Sequence, residues 1–387
     1  MRKLLLSTGV AALAAAGGHG AAAQDWNMDW GGFMHMHVAV GDISTPGVAG
    51  AKFDGDGVDI FNDSEIHFTP SVKLDNGLSF GINVQLEGTT TGGGFIDESY
   101  ASIWSDTFGR LDVGNENSAG YKMMVAAPGV TTMWINSPST SAFIPFTGVD
   151  IATGTLTALP FRQAGISAFT EVAGNNDVGR ITYYTPDFHG LTIGLSYANQ
   201  GAVNAGNSFS INKNAVLSDI FDIGINYANT FGMVDLTLAA RWGTGDTPTV
   251  PARAGASDPE TWGVGFQVGF NNITVGGHYG ENDNDETLAV APTIADSEGW
   301  SFGVTYDAAG PWSFEALTYQ SDSHIAAAGA PTGFKVEREA YRIGASRDLG
   351  PGVDWDIYAI YEDRNDTRTP VDDVEGTLLG TAINLSF

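Results

Sequence analysis

The sequence predicts an all-β fold, a transmembrane antiparallel β-barrel of 16 strands with its long third loop folded into the lumen. Three observations predict it. Short segments alternate apolar residues with small or polar ones, and the connections between them alternate between short and long. No apolar run after the N-terminus reaches the roughly 18 residues that a membrane-spanning helix needs.

The alternation is clearest near residue 262, where Trp262, Val264 and Phe266 are separated by Gly263 and Gly265. Successive side chains of a strand point to opposite faces, so this period of two gives one apolar face and one small or polar face. The side chains of the second face are too small and too polar to form a packed core. It is better explained as the lining of a water-filled lumen, with the apolar face turned to lipid.

Sixteen segments follow this pattern. The predicted strands are 27–40, 60–73, 78–88, 95–105, 109–117, 178–186, 190–199, 217–229, 233–243, 260–270, 273–282, 296–307, 311–322, 335–348, 353–364 and 376–387. The short connections carry Gly, Asn and Asp, which adopt the positive φ of tight hairpins. With an even number of strands both termini lie at the short-turn rim, and the first strand must pair with the last, because an open edge in lipid leaves backbone groups unpaired.

Charged residues within the predicted strands test the assignment. A charge facing lipid near the bilayer midplane costs about 2–4 kcal/mol for Arg or Lys. The strand charges with lumen-facing parity include Glu87, Arg180, Arg241, Arg338, Arg342 and Asp356. Glu337, Glu339 and Arg347 have the opposite parity, but they lie near strand ends, where water is close.

Segment 95–105 is ambiguous, because Tyr100 and Trp104 compete with Ala101 and Ile103 for the outer face. Small outward residues there would fit a subunit contact.

The first 23 residues have the features of a secretory signal peptide. Arg2 and Lys3 precede an apolar stretch, and Ala21-Ala22-Ala23 supplies a cleavage site. Residues 24–387 show no linker or change in composition, so we expect a single barrel domain.

The charge of the chain is strongly acidic. Removing Arg2 and Lys3 from a chain with 17 basic and 45 acidic residues leaves 15 basic residues and a net charge of −30. This disfavours nucleic acid as a partner and is compatible with a pore that prefers cations. The chain has no Cys, and an exported protein without Cys relies on a closed, hydrogen-bonded architecture instead of disulfides.

Two motifs carry a resemblance to a known family. Segment 376–387, with outward hydrophobes and a terminal Phe387, resembles the last strand of Gram-negative outer-membrane barrels. Segment 108–115, Phe-Gly-Arg-Leu-Asp-Val-Gly-Asn, resembles the strand before the constriction loop of general diffusion porins.

The resemblance implies a homotrimer of barrels in the outer membrane, in contact with lipid and lipopolysaccharide. Each pore would let ions and small hydrophilic solutes diffuse passively. The barrel-assembly machinery would recognise the strand that ends at Phe387, and calcium occurs in some members of the family.

The connection 118–177 is the candidate constriction loop. It spans about 60 residues, far beyond ordinary loops, and is too apolar to stay unpacked. Opposed charges across a narrow lumen would orient water and polar solutes, and we expect a weak preference for cations. The candidate constriction residues are Glu116, Lys122, Asp150, Arg162 and Glu171 on the loop side, and Arg338, Arg342 and Arg364 on the wall.

Histidines replace the basic residues expected on the first strands. His35 and His37 share one face, and His67 follows on the next strand near Asp63 and Glu65. Such a set could bind a transition metal, line the lumen as polar groups, or make the pore sensitive to pH.

Asp54, Asp56 and Asp59 begin like a calcium loop, but Val58 and Asp59 break the pattern. Solvated loop charge is the simpler explanation, and no other cofactor is predicted. Divalent ions bridging acidic loops to lipopolysaccharide are a further possibility.

No catalytic motif is present, and neither Ser167 nor Ser196 has a histidine at a suitable spacing, so we predict that the protein is not an enzyme. The alternative functions are a structural or adhesion barrel and a solute-specific channel.

Overall fold

The computed structural model describes residues 25–44, 56–88, 96–133, 149–150, 155–156, 166–172, 175–203, 211–249, 257–283, 293–326, 334–366 and 374–387. The predicted signal segment, residues 1–23, lies outside these ranges and stays a prediction.

The strands are β1 (Trp30–Ser44), β2 (Gly57–Phe68), β3 (Ser71–Lys73), β4 (Ser79–Glu87), β5 (Ile96–Ser105), β6 (Gly109–Glu116), β7 (Val149–Asp150), β8 (Thr155–Leu156), β9 (Val178–Tyr184), β10 (Leu191–Val203), β11 (Ser218–Phe231), β12 (Val234–Asp246), β13 (Glu260–Phe270), β14 (Ile273–Asp283), β15 (Thr293–Asp307), β16 (Trp312–Ala326), β17 (Phe334–Gly350), β18 (Val353–Asp366) and β19 (Val374–Ser386). The short helix α1 covers Ala119–Met123. No helix in the described ranges is long and apolar enough to cross a membrane.

The strands close into a barrel. Each wall strand pairs antiparallel with its neighbours, and β1 pairs with β19 from Phe33 opposite Ser386 to Ser44 opposite Glu375. Strands β2 and β3 both pair with β4 and form one wall strand interrupted at Pro70, which has no N–H to donate. The wall therefore has the predicted 16 strands, and the predicted pairing of the first and last strands is confirmed.

The two faces of the wall differ as predicted. On β17, Ile343 is 63% exposed, whereas the neighbouring Arg342 is 4% exposed. The same alternation puts Arg180 and Arg241 on the buried, inner face and leaves Glu337 and Glu339 on the outer face. In segment 95–105, Tyr100 and Trp104 face inward, since they share parity with the buried Glu98 and Ser102, and Ala101 is exposed on the outside.

The short turns have the predicted backbone. Gly77, Gly232 and Asn271 adopt φ of +86°, +67° and +54°, respectively. The wall strands on the long-loop side extend beyond the predicted ends, to Ser44 in β1 and Val203 in β10, for example. Within the long connection the structure adds α1 and the β7–β8 hairpin, which the sequence did not predict.

Candidate functional site: the inner wall of the barrel

Residues 117–133, the described start of the third long connection, lie along the inner face of the wall. The loop backbone donates hydrogen bonds to wall side chains, such as Ala119 N to Ser196 Oγ at 2.8 Å and Ala127 N to Ser301 Oγ at 3.1 Å. The wall side chains that bond to this segment include Ser196, Asp222, Asn226, Gln267, Ser301, Glu315, Asp356 and Asn384.

Inward-facing glycines let the loop approach the wall closely. A Cβ at Gly224 would lie 2.6 Å from the backbone oxygen of Ala119, and one at Gly265 would overlap the backbone oxygen of Val125. A side chain at either position would force the loop away. The small residues that alternate with outward hydrophobes therefore make room for the loop as well as for water.

Three anchor carboxylates, Asp222, Glu315 and Asp356, accept hydrogen bonds from the loop backbone. Asp222 accepts from Gly120 N at 2.7 Å and from Arg241 Nη2 at 2.8 Å. Both partners of this ion pair are almost fully buried. Because Asp222 meets the start of α1, its charge also suits the positive end of the backbone dipoles.

Glu315 makes the densest set of contacts. Its carboxylate accepts from Val130 N at 2.5 Å, from Thr131 N at 3.1 Å and from Thr131 Oγ1 at 2.7 Å. Arg342 lies 2.8 Å away, Nε to Oε1, with both side chains at most 3% exposed. Arg342, predicted to line the constriction, is thus located beneath the loop and neutralises the anchor carboxylate.

The described segment ends near Asp356. Thr132 N donates to Asp356 Oδ2 at 2.9 Å, and Thr132 Oγ1 donates to Asn384 Oδ1 at 2.8 Å. His37 reaches the same place from β1, with its Nδ1 3.0 Å from Tyr358 Oη. The loop therefore reaches around the inner wall from β10 to β19, beside β1.

The predicted loop-side residues form a buried ionic cluster. Lys122 Nζ lies 2.8 Å from Glu116 Oε2 and 3.3 Å from Glu98 Oε1. Burial opposes the charged form of Lys122, but the two carboxylates outweigh it and raise the pKa of the ammonium well above its ordinary value. Glu171 accepts from Ser118 N at 2.5 Å and lies 3.7 Å from Arg180 Nη2.

The other predicted arginines lie across the barrel on β17 and β18. Arg338 and Arg364 are register partners, and both are buried on the inner face. Arg338 Nη2 lies 3.8 Å from Glu362 Oε2, and its guanidinium carbon lies 4.8 Å from the ring centre of Tyr319. The predicted site residues are thus divided between two groups, one at β6 and β9 and one at β17 and β18.

Asp150 is on β7, opposite Thr155, and Arg162 lies outside the described residues. Asp54 also lies outside them. Asp56 Oδ1 accepts a hydrogen bond from Ile43 N at 2.9 Å, and Asp59 is exposed on β2.

A set of carboxylates on β2 and β4 is less buried than the anchor carboxylates, and we name Asp63, Glu65 and Glu87 the acidic wall. Glu65 and Glu87 are register partners, and Asp63 lies opposite His35. All three are half-buried, unlike the anchor carboxylates. The sequence grouped Asp63 and Glu65 with His67 as metal ligands or as polar lining, but it gave no sign that Glu87 on β4 lies opposite Glu65.

The histidines take different positions. His67 Nε2 lies 3.1 Å from Glu65 Oε2, and its side chain is 34% exposed. His35 stacks on Phe33 with ring centres 4.6 Å apart, and His37 is 1% exposed. Within the described ranges, no group of three His, Cys, Asp or Glu side chains has a geometry that could hold a metal ion.

A closed wall of membrane-spanning strands, an apolar outer face and a polar inner face define an outer-membrane channel. The family model described as Gram-negative porin matches residues 9–368, and the chain belongs to this family. The comparison with curated proteins gave no match.

Solved structures share the fold. OmpT from Vibrio cholerae, in a trimer form, aligns with a TM-score of 0.59 at 10% identity, covering 94% of this chain and 99% of that one. An anion-selective porin from Comamonas acidovorans gives 0.58 at 13% identity, covering 94% and 100%. A further porin gives 0.53 at 16% identity, covering 93% and 100%.

Proposed function

We propose that the barrel is a water-filled channel for passive diffusion of ions and small hydrophilic solutes, with a weak preference for cations. The observation that carries the preference is the contrast between partly exposed acids and bases that are buried in ion pairs. Asp63, Glu65 and Glu87 are half-buried on the inner face, whereas Arg241 and Arg342 are buried in ion pairs.

Accessible negative charge in a narrow aqueous passage attracts counter-ions and raises their flux. A buried ion pair has little net charge at a distance, so the arginines beneath the loop oppose this effect only weakly. The fold itself does not decide the sign, because the porin from Comamonas acidovorans is anion-selective on a similar barrel. Local side chains must decide it.

We propose that the loop 118–177 narrows the passage, with Glu116, Lys122, Asp150, Arg162 and Glu171 on its side and Arg338 and Arg364 opposite. The path of residues 117–133 along the inner wall supports this. Arg342 lies beneath residues 130–131 in its ion pair with Glu315 and supports the loop there. Glu116 and Glu171 also hold the start of the loop, so neutralising them would disturb its position as well as its charge.

The test of the preference is the reversal potential of the purified protein in a planar bilayer under a KCl gradient. A reversal potential with the sign of the K⁺ equilibrium potential supports the proposal. A reversal potential near zero, or with the sign of the Cl⁻ equilibrium potential, refutes it. Solute uptake by liposomes separates a general channel from the alternatives, since an adhesion or structural barrel would give no flux and a solute-specific channel would admit only one class of solute.

We further propose that the protein carries out no chemistry. The inner face does contain a serine beside a histidine, with Ser301 Oγ 2.7 Å from His278 Nδ1. Both side chains are buried, and Ser301 Oγ already accepts a hydrogen bond from Ala127 N. A substrate could reach this pair only by displacing the loop, so hydrolysis of ester substrates by the purified protein would contradict the proposal.

The proposed assembly is a homotrimer that packs through its early strands. The outer faces of β1 and β2 expose aliphatic side chains, including Val40 and Ile60, and Ala101 on β5 is small and exposed. A species that runs as a monomer on gels without boiling would count against this. The strand that ends at Phe387 is the proposed signal for the barrel-assembly machinery, and lipid and lipopolysaccharide are the proposed surroundings.

A calcium site at Asp54, Asp56 and Asp59 is the alternative to solvated loop charge, and it would compete with the hydrogen bond that Asp56 Oδ1 accepts from Ile43 N. Unchanged conductance and stability after treatment with a chelator would refute the calcium site.

A further inference from the structure

Three outward-facing side chains form a row at the short-turn end of the barrel. Trp312 on β16 is the register partner of Arg347 on β17, and Arg347 is the register partner of Trp355 on β18. All three share the parity of exposed apolar residues on their own strands. Short turns lie at the periplasmic rim of outer-membrane barrels, so the row lies at the periplasmic leaflet.

The two indoles lean over the strand between them. The ring centres of Trp312 and Trp355 are 5.7 Å apart although a whole strand separates their backbones. The guanidinium carbon of Arg347 lies 5.5 Å from the ring centre of Trp312. A guanidinium over the face of a tryptophan is attracted by the ring and held in place.

Arg347 has no anionic partner among the described residues. No ion pair joins it to a described carboxylate, and its buried Nε makes no hydrogen bond. The indole N–H of Trp355 is already used, since it donates to Thr381 Oγ1 at 2.8 Å. The cation is therefore positioned by aromatic rings, and the described residues supply no counter-charge for it.

A shallow apolar slot runs from this row into the membrane. Two residues further along β17, the small Ala345 lies between Phe314 and Ile357, its register partners. Phe314 is 44% exposed and Ile357 is 37% exposed, so both stand out from the wall on either side of Ala345. The slot is therefore aligned with Arg347.

We propose that this row binds an anionic phospholipid of the periplasmic leaflet, with the headgroup phosphate on Arg347 and an acyl chain along Ala345. A guanidinium presents paired N–H groups that match a phosphate, and tryptophans lie at the level of lipid headgroups. A basic side chain near an anionic membrane surface contributes about 1 kcal/mol, or roughly five-fold in affinity.

Lys335, at the other end of the same strand and face, provides a matched control. Its Nζ lies 3.1 Å from Asp322 Oδ2 and 2.6 Å from Glu337 Oε1. It has the same charge as Arg347 but is already paired with carboxylates. Its removal should leave lipid preference unchanged.

The test is native mass spectrometry of the detergent-purified barrel titrated with phosphatidylglycerol or phosphatidylcholine. The unaltered protein should retain phosphatidylglycerol about five-fold more strongly than phosphatidylcholine. Arg347→Gln should abolish this preference, Arg347→Lys should keep part of it, and Lys335→Gln should leave it intact. Heat-modified mobility on gels verifies that each variant is folded.

Equal retention of the two lipids by the unaltered protein would overturn the proposal. An equal loss in Arg347→Gln and Lys335→Gln would also overturn it, because the preference would then follow net charge and not this row. Phe314→Ala, which opens the slot without changing charge, should weaken retention of both lipids alike.

Discussion

The wall from β10 to β19 and the acidic wall on β2 and β4 face the same lumen and use carboxylates in opposite ways. Asp222, Glu315 and Asp356 are buried and accept N–H groups of the loop. Asp63 and Glu65 are half-buried and carry their charge towards the lumen. A carboxylate on the inner face can have either role. It holds the loop where a backbone N–H of the loop donates a hydrogen bond to it.

We therefore expect the anchor carboxylates to hold the loop in position and the acidic wall to set the preference for cations. A variant that changed both properties at once would contradict this division.

The largest effect is expected for Glu315→Ala. The change removes the acceptor of Val130 N and Thr131 N and leaves the buried Arg342 without its partner. Breaking a buried ion pair in this way costs about 3–5 kcal/mol. We expect a loosened loop, seen in single-channel recordings as higher conductance with rapid fluctuations.

Glu298→Ala removes an exposed, outward carboxylate on β15 and serves as the control. If Glu315→Ala had the conductance and the low current noise of the unaltered protein, Glu315 would not hold the loop in place.

The second prediction concerns the acidic wall. The triple variant Asp63→Asn, Glu65→Gln, Glu87→Gln should lower the cation-to-anion permeability ratio by a factor of about two to five, because interactions of exposed charges are worth about 0.2–1 kcal/mol. Conductance noise should not change, because the described backbone hydrogen bonds that hold residues 119–132 on the wall are made with side chains of β10 to β18. Reversal potentials at low salt measure the ratio.

The control for this variant is Glu298→Gln, Glu337→Gln, Glu339→Gln, which removes three carboxylates from the outer face. If both triple variants shifted the ratio equally, total charge and not the lining would set the preference.

The sequence could predict most of the wall, because period-two alternation and turn residues are local signals. Val264 and Gly265 point to opposite faces whatever the loops do. The same alternation could not show that Gly265 makes room for the backbone of Val125, since that contact joins residues far apart in the chain. The predicted strands end too early on the long-loop side. There the strands leave the membrane and no longer need alternating apolar residues, as at Asn199 and Gln200 near the end of β10.

The contacts between residues of the candidate site could not be predicted from the sequence. Arg342 was correctly placed on the inner face, but its partner Glu315 comes from another strand, and its cover comes from the loop. Neither contact leaves a pattern in the sequence. The sequence therefore predicts which face of the wall a charged residue lies on, but not whether the loop covers that residue.

The third prediction is a pH dependence of the acidic wall. His67 lies 3.1 Å from Glu65 and is partly exposed. Histidine titrates near neutral pH, and a protonated His67 offsets one carboxylate of the wall. The cation preference should therefore be smaller at pH 5 than at pH 8, and His67→Gln should flatten part of this change.

His189→Gln, in an exposed periplasmic turn, should behave like the unaltered protein. A permeability ratio that is the same at both pH values would exclude a role for His67 in the lining.

The smallest effect is expected for Gln267→Ala, which removes a neutral anchor of the loop. Gln267 Nε2 donates to the backbone oxygen of Ala126 at 2.9 Å, and no buried charge depends on it. A single neutral hydrogen bond contributes about 1 kcal/mol, and water can replace the lost donor in a hydrated lumen. Conductance should then rise less and fluctuate less than in Glu315→Ala, with the permeability ratio unchanged. If Gln267→Ala disturbed the trace as strongly as Glu315→Ala, the loop would be held by the number of its bonds, and the distinction between charged anchors and the rest of the wall would fail.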